Sequence, residues 1–413
     1  MTHYLGLNAM AVTCEHCGTE QHVGKLAERT AAFCVRCGSL LDTVEPMDLT
    51  LGLAWTLAIF VLLFPANLLP LMQASLGTQS RVNYISNGVS ALWSDHWPVL
   101  AIMFALFAIV FPFVRAALML LVLGCIRRGR CSSRVGRMFR LAQAIELWAM
   151  PDVLVLAGFV VYMRTNVQLE GHIEWGGWCL IMVAGLHMLS PWCLSSHRIW
   201  RAIMPDRPVS GREPAISCEV CNMTLPRIYQ GCRCPRCAKR LRLRKEYAMH
   251  RTAALVIAGY ILYFPAYYFS MSYTLQPGGI KWHSIIEGVR ELINAGFWEL
   301  AIIIVITSIL IPLLKLLGLS WMLVSVRHPS RKHLVLRTRL YHVIHSIGRW
   351  SNVDPFIVAL MAPLLSFRGV VEVHVGRAAL PFALVVAFTM LAARSFDPRL
   401  MWDAMLQKEI ANG

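Results

Sequence analysis

Eight stretches of this chain are each long and apolar enough to cross a lipid bilayer, and no other feature limits its fold so strongly. A helix needs about 20 predominantly apolar residues to span the hydrocarbon core. The stretches are Leu49–Met72, Trp97–Ile126, Leu141–Met163, Gly176–Leu194, Thr252–Tyr273, Phe297–Val326, Val343–Phe367 and Ala378–Ala393. In lipid, every backbone N–H and C=O must bond within its own segment, which leaves helices as the solution. Composition agrees: 57% of the 413 residues are hydrophobic and 15% are charged, against about 25% charged in an average soluble domain. Glu146 and Asp152 interrupt the third stretch, and His345 and Asp354 the seventh. Residues 1–48 are mixed polar, so Leu49–Met72 reads as a span rather than a signal peptide.

Charge sets the orientation. Arg127, Arg128, Arg130, Arg134, Arg137 and Arg140 follow the second stretch, and Arg327, Arg331, Lys332, Arg337 and Arg339 follow the sixth. Arg198 to Arg251 adds more than ten cations. The alternate loops hold Arg81 alone between Thr78 and His96, and Lys281 and Arg290 between Gln276 and Gly296. The positive-inside rule predicts cytoplasmic termini and a multi-pass protein of the cytoplasmic membrane. It also accounts for the net charge of +16 without a nucleic-acid partner.

The chain repeats itself with a period of 200 residues. Phe64-Pro65-Ala66 recurs as Phe264-Pro265-Ala266, Gly88-Val89 with Leu92 as Gly288-Val289 with Leu292, Pro112 as Pro312, Arg115 as Lys315, and Cys34 and Cys37 as Cys234 and Cys237. Trp148 with Asp152 answers Trp350 with Asp354 at an offset of 202. Each half is one module, a cysteine domain followed by four spans, and an even number of spans makes the repeat parallel. The predicted domains are a ribbon at 1–48, a four-helix module at 49–200, a second ribbon at 201–247 and a second module with a short tail at 248–413.

Cysteine spacing defines the ribbons. Cys14-x2-Cys17 precedes Cys34-x2-Cys37 by sixteen residues, and Cys218-x2-Cys221 precedes Cys234-x2-Cys237 by twelve. Paired knuckles of this kind offer four sulfurs to one tetrahedral ion. Zinc is the expected ion, with a rubredoxin-like iron site as the rival. Disulfides and a redox dithiol are the competing readings; a reducing cytoplasm disfavours the first, and doubling in both repeats disfavours the second. With no free ligand position, such a site is structural and folds a domain too small to hold its own core. Cys125, Cys131, Cys179 and Cys193 read as packing residues. Cys232 is spare, since its counterpart is Ala32.

Ionisable residues inside spans are functional candidates. Lys315 lies twelve residues before Arg327, about 18 Å along a helix, and Arg115 sits at the same depth before Arg127. In compact modules Lys315 can meet Asp354, and Arg115 can meet Asp152. Pro312 and Pro112 loosen the backbone nearby, and Ser308 and Thr389 can extend a polar chain. Two readings stand: buried ion pairs that pin helices, or a proton relay or headgroup site. The second module holds the more titratable pair, because arginine keeps its proton. The amphipathic segments "YISNGVSALW" (Tyr84–Trp93) and "SIIEGVRELI" (Ser284–Ile293) read as surface helices or as a ledge for an extracytoplasmic partner. No nucleophile–base set or open histidine metal site is in view, and His342 with His345 reads as interfacial, so an enzyme is not expected.

With these features together, the chain resembles the PqiA family (paraquat-inducible protein A and LetA-like proteins of the bacterial inner membrane). The resemblance rests on both ribbons, "FPANLLPLM" (Phe64–Met72), "WSNVDPF" (Trp350–Phe356) and "RSFDPRLMW" (Arg394–Trp402), and covers nearly the whole length. It implies an inner-membrane component of a lipid-transport system that works with a periplasmic MCE-domain tunnel, loading phospholipid into it or taking it out. It also implies that Lys315, Asp354, Ser308 and Thr389 form the family's polar network, tied to the proton-motive force. The alternative is a non-transporting anchor or regulator of the tunnel, whose ribbons bind a cytoplasmic partner. The halves have diverged: Asn67 and Pro70 have no match at Tyr267 and Ser270, and "SSHRIW" lacks the Asp-Pro-Arg of the C-terminal copy. The overall expectation is an all-α polytopic protein of two tandem four-helix modules, each preceded by a zinc ribbon.

Overall fold

The computed structural model describes residues 10–24, 30–43, 48–76, 79–168, 170–205, 215–276, 278–294, 296–330, 333–347, 353–366 and 372–412. Thr78, Arg331, Lys332, Trp350, Ser351, Asn352 and Phe367 lie outside the described residues, as does the side chain of His345.

The chain opens with two short hairpins, β1 (Met10–Thr13) with β2 (Glu20–Val23) and β3 (Ala31–Phe33) with β4 (Leu40–Thr43). The first helical half follows as α1 (Leu49–Leu68), strands β5 (Met72–Leu76) and β6 (Gln79–Asn83), α2 (Ile85–Ser94), α3 (Pro98–Ala105), α4 (Phe111–Arg127), α5 (Ser133–Glu146), α6 (Pro151–Gln168), β7 (Glu170–Ile173), α7 (Trp175–Cys193) and α8 (Ser196–Ile203). A third hairpin, β8 (Ala215–Ser217) with β9 (Thr224–Pro226), begins the second half. The same order then recurs: α9 (Ala248–Tyr268), β10 (Ser272–Gln276), β11 (Gly279–His283), α10 (Ile285–Asn294), α11 (Trp298–Ile304), α12 (Ile311–Arg327), α13 (Leu334–Ile347), α14 (Val353–Leu365), β12 (Glu372–Val375), α15 (Ala379–Ser395) and α16 (Arg399–Asn412).

The expectation of an all-α chain needs correction. Helix dominates, but each half also carries a three-stranded antiparallel sheet, ordered β6-β5-β7 and β11-β10-β12. The segment after α1 cannot stay helical past Leu69, because Pro70 follows and disfavours α geometry in the residue before it. It turns back instead, pairing Met72 with Asn83, and Ser272 with His283 in the second copy.

The span count also differs from the eight apolar stretches. Among the described residues, four helical runs are long and apolar enough to cross a membrane: Leu49–Leu68, Pro98–Arg127, Ser133–Asn166 and Trp298–Arg327. The α7–α8 and α15–α16 pairs, bent by 69° and 47°, bring the number to six if each is one span. Helix α9 carries His250, Arg251 and four tyrosines. Helix α14 has 13 residues, about 20 Å of helix against a core of about 30 Å.

Two π-helical turns, Leu106–Val110 and Val305–Leu310, join α3 to α4 and α11 to α12. Each precedes a proline, Pro112 or Pro312, which cannot donate to the carbonyl four residues back. In the second half that carbonyl belongs to Ser308, and the hydroxyl of Tyr267 donates to it.

Helix α14 is the centre of the molecule. Every residue from Val353 to Ala362 is buried, packed by α6, α2 and α3 of the first half and by α15 and β12 of the second. Asn83 donates its Nδ2 to the carbonyl of Leu360 at 2.9 Å. Gly88 lets α2 reach α14: a Cβ there would stand 2.9 Å from the carbonyl oxygen of Ala359. At the sheet end, Asp95 accepts from His374 Nδ1 at 2.9 Å, if that nitrogen carries the proton, and from Val375 N at 3.0 Å.

The cysteine hairpins sit crosswise. The N-terminal ribbon packs on the second helical half, its four cysteines and Leu41 sharing a core with Leu316, Met322, Tyr341, Phe396 and Trp402. The second ribbon packs on the first half, with Met119, Leu123, Phe139, Trp200 and Ile203. Gly136 of α5 makes the second docking possible, because a Cβ at that position would lie 1.8 Å from the carbonyl oxygen of Arg236. We therefore expect Gly136→Ala to release the second ribbon from α5 at a cost of roughly 1–3 kcal/mol. The readout is protease sensitivity around Arg233–Arg242 in detergent; a variant as resistant as wild type would contradict this docking.

Candidate functional site

Each cysteine knuckle is a tight turn closed by its own backbone. Gly18 N and Gly38 N donate to the carbonyls of Cys14 and Cys34 at 2.9 Å, and Asn222 N and Ala238 N donate to Cys218 and Cys234 at 3.0 and 2.8 Å. The donor lies in the left-handed region each time, at φ 73, 72, 55 and 57°. Glycine meets that demand in the first ribbon, and asparagine tolerates it in the second.

The turns bring the sulfurs of Cys14, Cys17, Cys34 and Cys37 within 4.8 Å of one another, and those of Cys218, Cys221, Cys234 and Cys237 likewise, all buried. Facing pairs stand 3.4–3.5 Å apart. That is far beyond the roughly 2.05 Å of a disulfide. It is close to the ~3.8 Å edge of a tetrahedron with metal–sulfur bonds of about 2.3 Å. Both clusters can hold a metal ion. Polar neighbours suit thiolate charge: Gln21 Nε2 donates to Cys34 Sγ at 2.9 Å, and Ser39 Oγ lies 2.9 Å from Cys37 Sγ. Around the second cluster, buried Arg236 bonds the carbonyl of Cys221, and Arg140 of α5 bonds that of Cys237. Cys232 is exposed and outside the cluster.

Below the ribbons lies a charged cluster that the sequence offered only as part of a family motif. Asp397, 1% exposed, stands at the α15–α16 corner. It accepts from Arg399 Nε at 2.9 Å and Nη2 at 2.8 Å, and from the backbone N–H of Lys245 at 3.2 Å. Arg399 also reaches Glu219, between the knuckle cysteines, at 3.3 Å. Lys245 Nζ donates to the carbonyls of Arg394 and Phe396, at the negative end of α15. Beside them Arg244 forks onto Asp403 at 2.6 and 2.8 Å. Burial alone would raise the Asp397 carboxyl, yet the hydrogen bonds and charge of Arg399 hold it below the ordinary range. The first half has no equivalent, since it lacks the Asp-Pro-Arg.

The intramembrane residues are only partly where the sequence put them together. Lys315 is buried in α12, Ser308 in the π-turn, Asp354 at the start of α14, Thr389 in α15 and Asp152 at the start of α6. Among the groups that act on Asp354 are Ser308 and Arg164. Arg164 comes from α6 of the other half. Its counterpart is Ser366, so the internal repeat gave no pointer to it. Thr389 donates to the carbonyl of Val386 at 2.9 Å in its own helix. Arg115 forms an ion pair with Glu146 at 3.1 Å. Position 146 precedes the break between α5 and α6, which turns its side chain back toward α4.

A cavity of about 470 Å³ opens between α6 and α7. Its walls are apolar, among them Leu71, Leu154, Phe159, Leu180, Ile181 and Met188, and Asp152 contributes the charged group. Gly158, Gly177 and Gly185 are part of its lining, and a Cβ on Gly185 would meet nothing within 4 Å.

The family model described as Paraquat-inducible protein A matches residues 49–204 and again 249–405. The chain is 27% identical over 417 residues to Intermembrane transport protein PqiA of Escherichia coli K12, covering 97% of both. It is 30% identical over 266 residues to Lipophilic envelope-spanning tunnel protein A of the same organism, covering 63% of this chain and 61% of that one. A Probable intermembrane transport protein of Haemophilus influenzae is 27% identical over 387 residues, covering 91% and 92%. No solved structure matches.

Asp397→Asn would leave buried Arg399 with Glu219 as its remaining counter-charge, costing up to roughly 3 kcal/mol. Because the Asp397 carboxyl is depressed in the fold, its contribution is complete above about pH 4 and is lost as pH falls through the lower folded value. Thermal unfolding in detergent should therefore show a lower Tm for the variant at pH 7, with the gap to wild type closing in acid. A gap that does not depend on pH would contradict this assignment.

Proposed function

The chain belongs to the PqiA family, and from that membership we propose that it is an inner-membrane component of a lipid-transport system, passing phospholipid between the bilayer and a periplasmic MCE-domain tunnel. One observation carries the lipid reading: the apolar cavity of about 470 Å³ between α6 and α7. Pockets of roughly 300–1,000 Å³ are the usual size for small-molecule ligands, and walls of this kind suit an acyl chain. The names of the relatives, intermembrane transport protein and envelope-spanning tunnel protein, support transport rather than an enzyme.

The finer organisation follows the same reading. The chain divides at 1–48, 49–200, 201–247 and 248–413 into two ribbons and two membrane-embedded helical modules, with both ribbons and both termini in the cytoplasm. Each four-cysteine cluster holds structural zinc; four buried thiols leave no ligand position for a substrate. Lys315, Asp354, Ser308 and Thr389 form a proton-coupled polar network in the second module, and Arg115 and Asp152 are its diverged counterpart in the first. The two π-turns beside these residues support movement there, since π-turns in helices are frequent at functional sites.

Filling the cavity separates transport from anchoring. Gly185→Trp places a large side chain where a Cβ meets nothing, so the protein should fold and keep its metal. We expect lipid transfer to an MCE partner in reconstituted vesicles to fall to a small fraction of wild type. Undiminished transfer would favour the anchor reading, in which the ribbons bind a cytoplasmic partner and the spans hold the tunnel in place.

A further inference from the structure

A second, much smaller cavity lies beside Asp354, at the seam between the two halves. Its volume is about 40 Å³, room for about three waters at roughly 10–15 Å³ each. Arg164 of α6, Asp354 and Met361 of α14, Ile304 of α11, and His283 and Ser284 at the base of the second sheet all line it. Two of these lining residues are charged and carry buried atoms, Arg164 Nε and Asp354 Oδ2, with no hydrogen-bond partner among the described residues. Leaving such atoms dry is costly, and a polar cavity of this size is where ordered water is found.

The outer end of the cavity is polar as well. His283 Nε2 lies 3.0 Å from Thr274 Oγ1, and His283 Nδ1 lies 3.6 Å from Glu291 Oε1. Glu291 is paired with Lys281 on the surface at 2.9 Å. The groups facing Asp354 are Ser308 from the π-turn, Arg164 from α6, Tyr267 from α9 and, across the cavity, His283 from β11. The repeat supplies an internal contrast. In the first half the positions matching His283 and Gly288 are Asn83 and Gly88, and they close directly on α14 through the Leu360 and Ala359 carbonyls. In the second half the guanidinium of Arg164 lies against Gly288, 2.6 Å from where a Cβ would stand.

We propose that this cavity is a hydrated port through which water, and with it protons, reaches Asp354 from the sheet end of the molecule, with His283 at its mouth and Arg164 as its fixed cationic wall. A proton taken from water at the mouth passes along the cavity waters to Asp354 Oδ2, leaving the neutral acid and removing the counter-charge of Arg164. At the matching positions of the first half, Asn83 and Gly88 close on α14 instead. The proposal rests on the reading of Asp354 as part of a proton relay, and it names the route by which that relay is filled.

Infrared spectroscopy of the full chain in lipid nanodiscs tests it. The Asp354 carboxyl band is assigned by difference against Asp354→Asn and followed through a pH titration, then after exchange into D2O. We expect the band to respond to bulk pH and to take its isotope shift promptly. In Ile304→Phe and in Met361→Phe, which fill the cavity from two sides, we expect that prompt shift to be lost. A wild-type band that stays unshifted, or one that exchanges equally fast in both filled variants, overturns the port. Lipid transfer, measured separately on wild type and Gly185→Trp, reports on the transport reading whichever way the port is decided.

Discussion

A thirteen-residue helix with no face to lipid organises this protein. Helix α14 is apolar apart from Asp354 and is buried from Val353 to Ala362, and enclosure in protein keeps its charged group away from lipid. The first half encloses it with α6, α2 and α3, and its own half with α15 and β12. Enclosure then dictates the details: Gly88, which lets α2 touch the α14 backbone; Asn83, which bonds the Leu360 carbonyl; and Asp95, which ties the end of α2 to β12. Two modules joined through a buried helix cannot move as independent bodies without opening that core, so any coupled motion must pass along the α6–α14 seam.

The ribbons brace the same assembly from the other end. Each packs on the module that does not follow it in sequence, so the chain crosses over twice between its halves. A small hairpin domain has too little apolar surface to hold this position alone. The four cysteines of each ribbon converge on one point, and the Asp397–Arg399–Glu219 cluster fastens the second ribbon to the end of α15. Charge is well placed there, because the corner is buried yet every oxygen of Asp397 has a donor.

The repeat has diverged where it meets itself. Related helices α6 and α14 pack on one another, but the residues around them differ between the copies: Arg164 in α6 where the copy has Ser366 after α14, and His283 at the end of β11 where the copy has Asn83 at the end of β6. One side of the seam is closed by direct contacts and the other keeps a small polar space. An asymmetric seam is what a device with one working half and one supporting half would contain.

Much of this was legible in the residues. Apolar length identified the helical runs, because lipid leaves the backbone no other way to satisfy its hydrogen bonds. The 200-residue register recurs in the order of the elements, and the Cys-x2-Cys spacing named every member of both four-sulfur clusters, because a knuckle is a local turn that spacing alone specifies. The pairing of ionisable residues was not legible. Depth along a helix suggested Lys315 with Asp354 and Arg115 with Asp152, but depth says nothing about which side of a helix a residue occupies, and the structure brings Ser308 and Arg164 to bear on Asp354 and pairs Arg115 with Glu146. Nor could sequence order show that the ribbons cross over, that α14 is buried on all sides, or that the segments after α1 and α9 turn back as hairpins into sheets. The sequence by itself determined what is local: helix length, turn chemistry, metal-ligand sets. Only the tertiary structure decided which half each element serves, because contacts between modules depend on packing surfaces that come together once all the helices are in place.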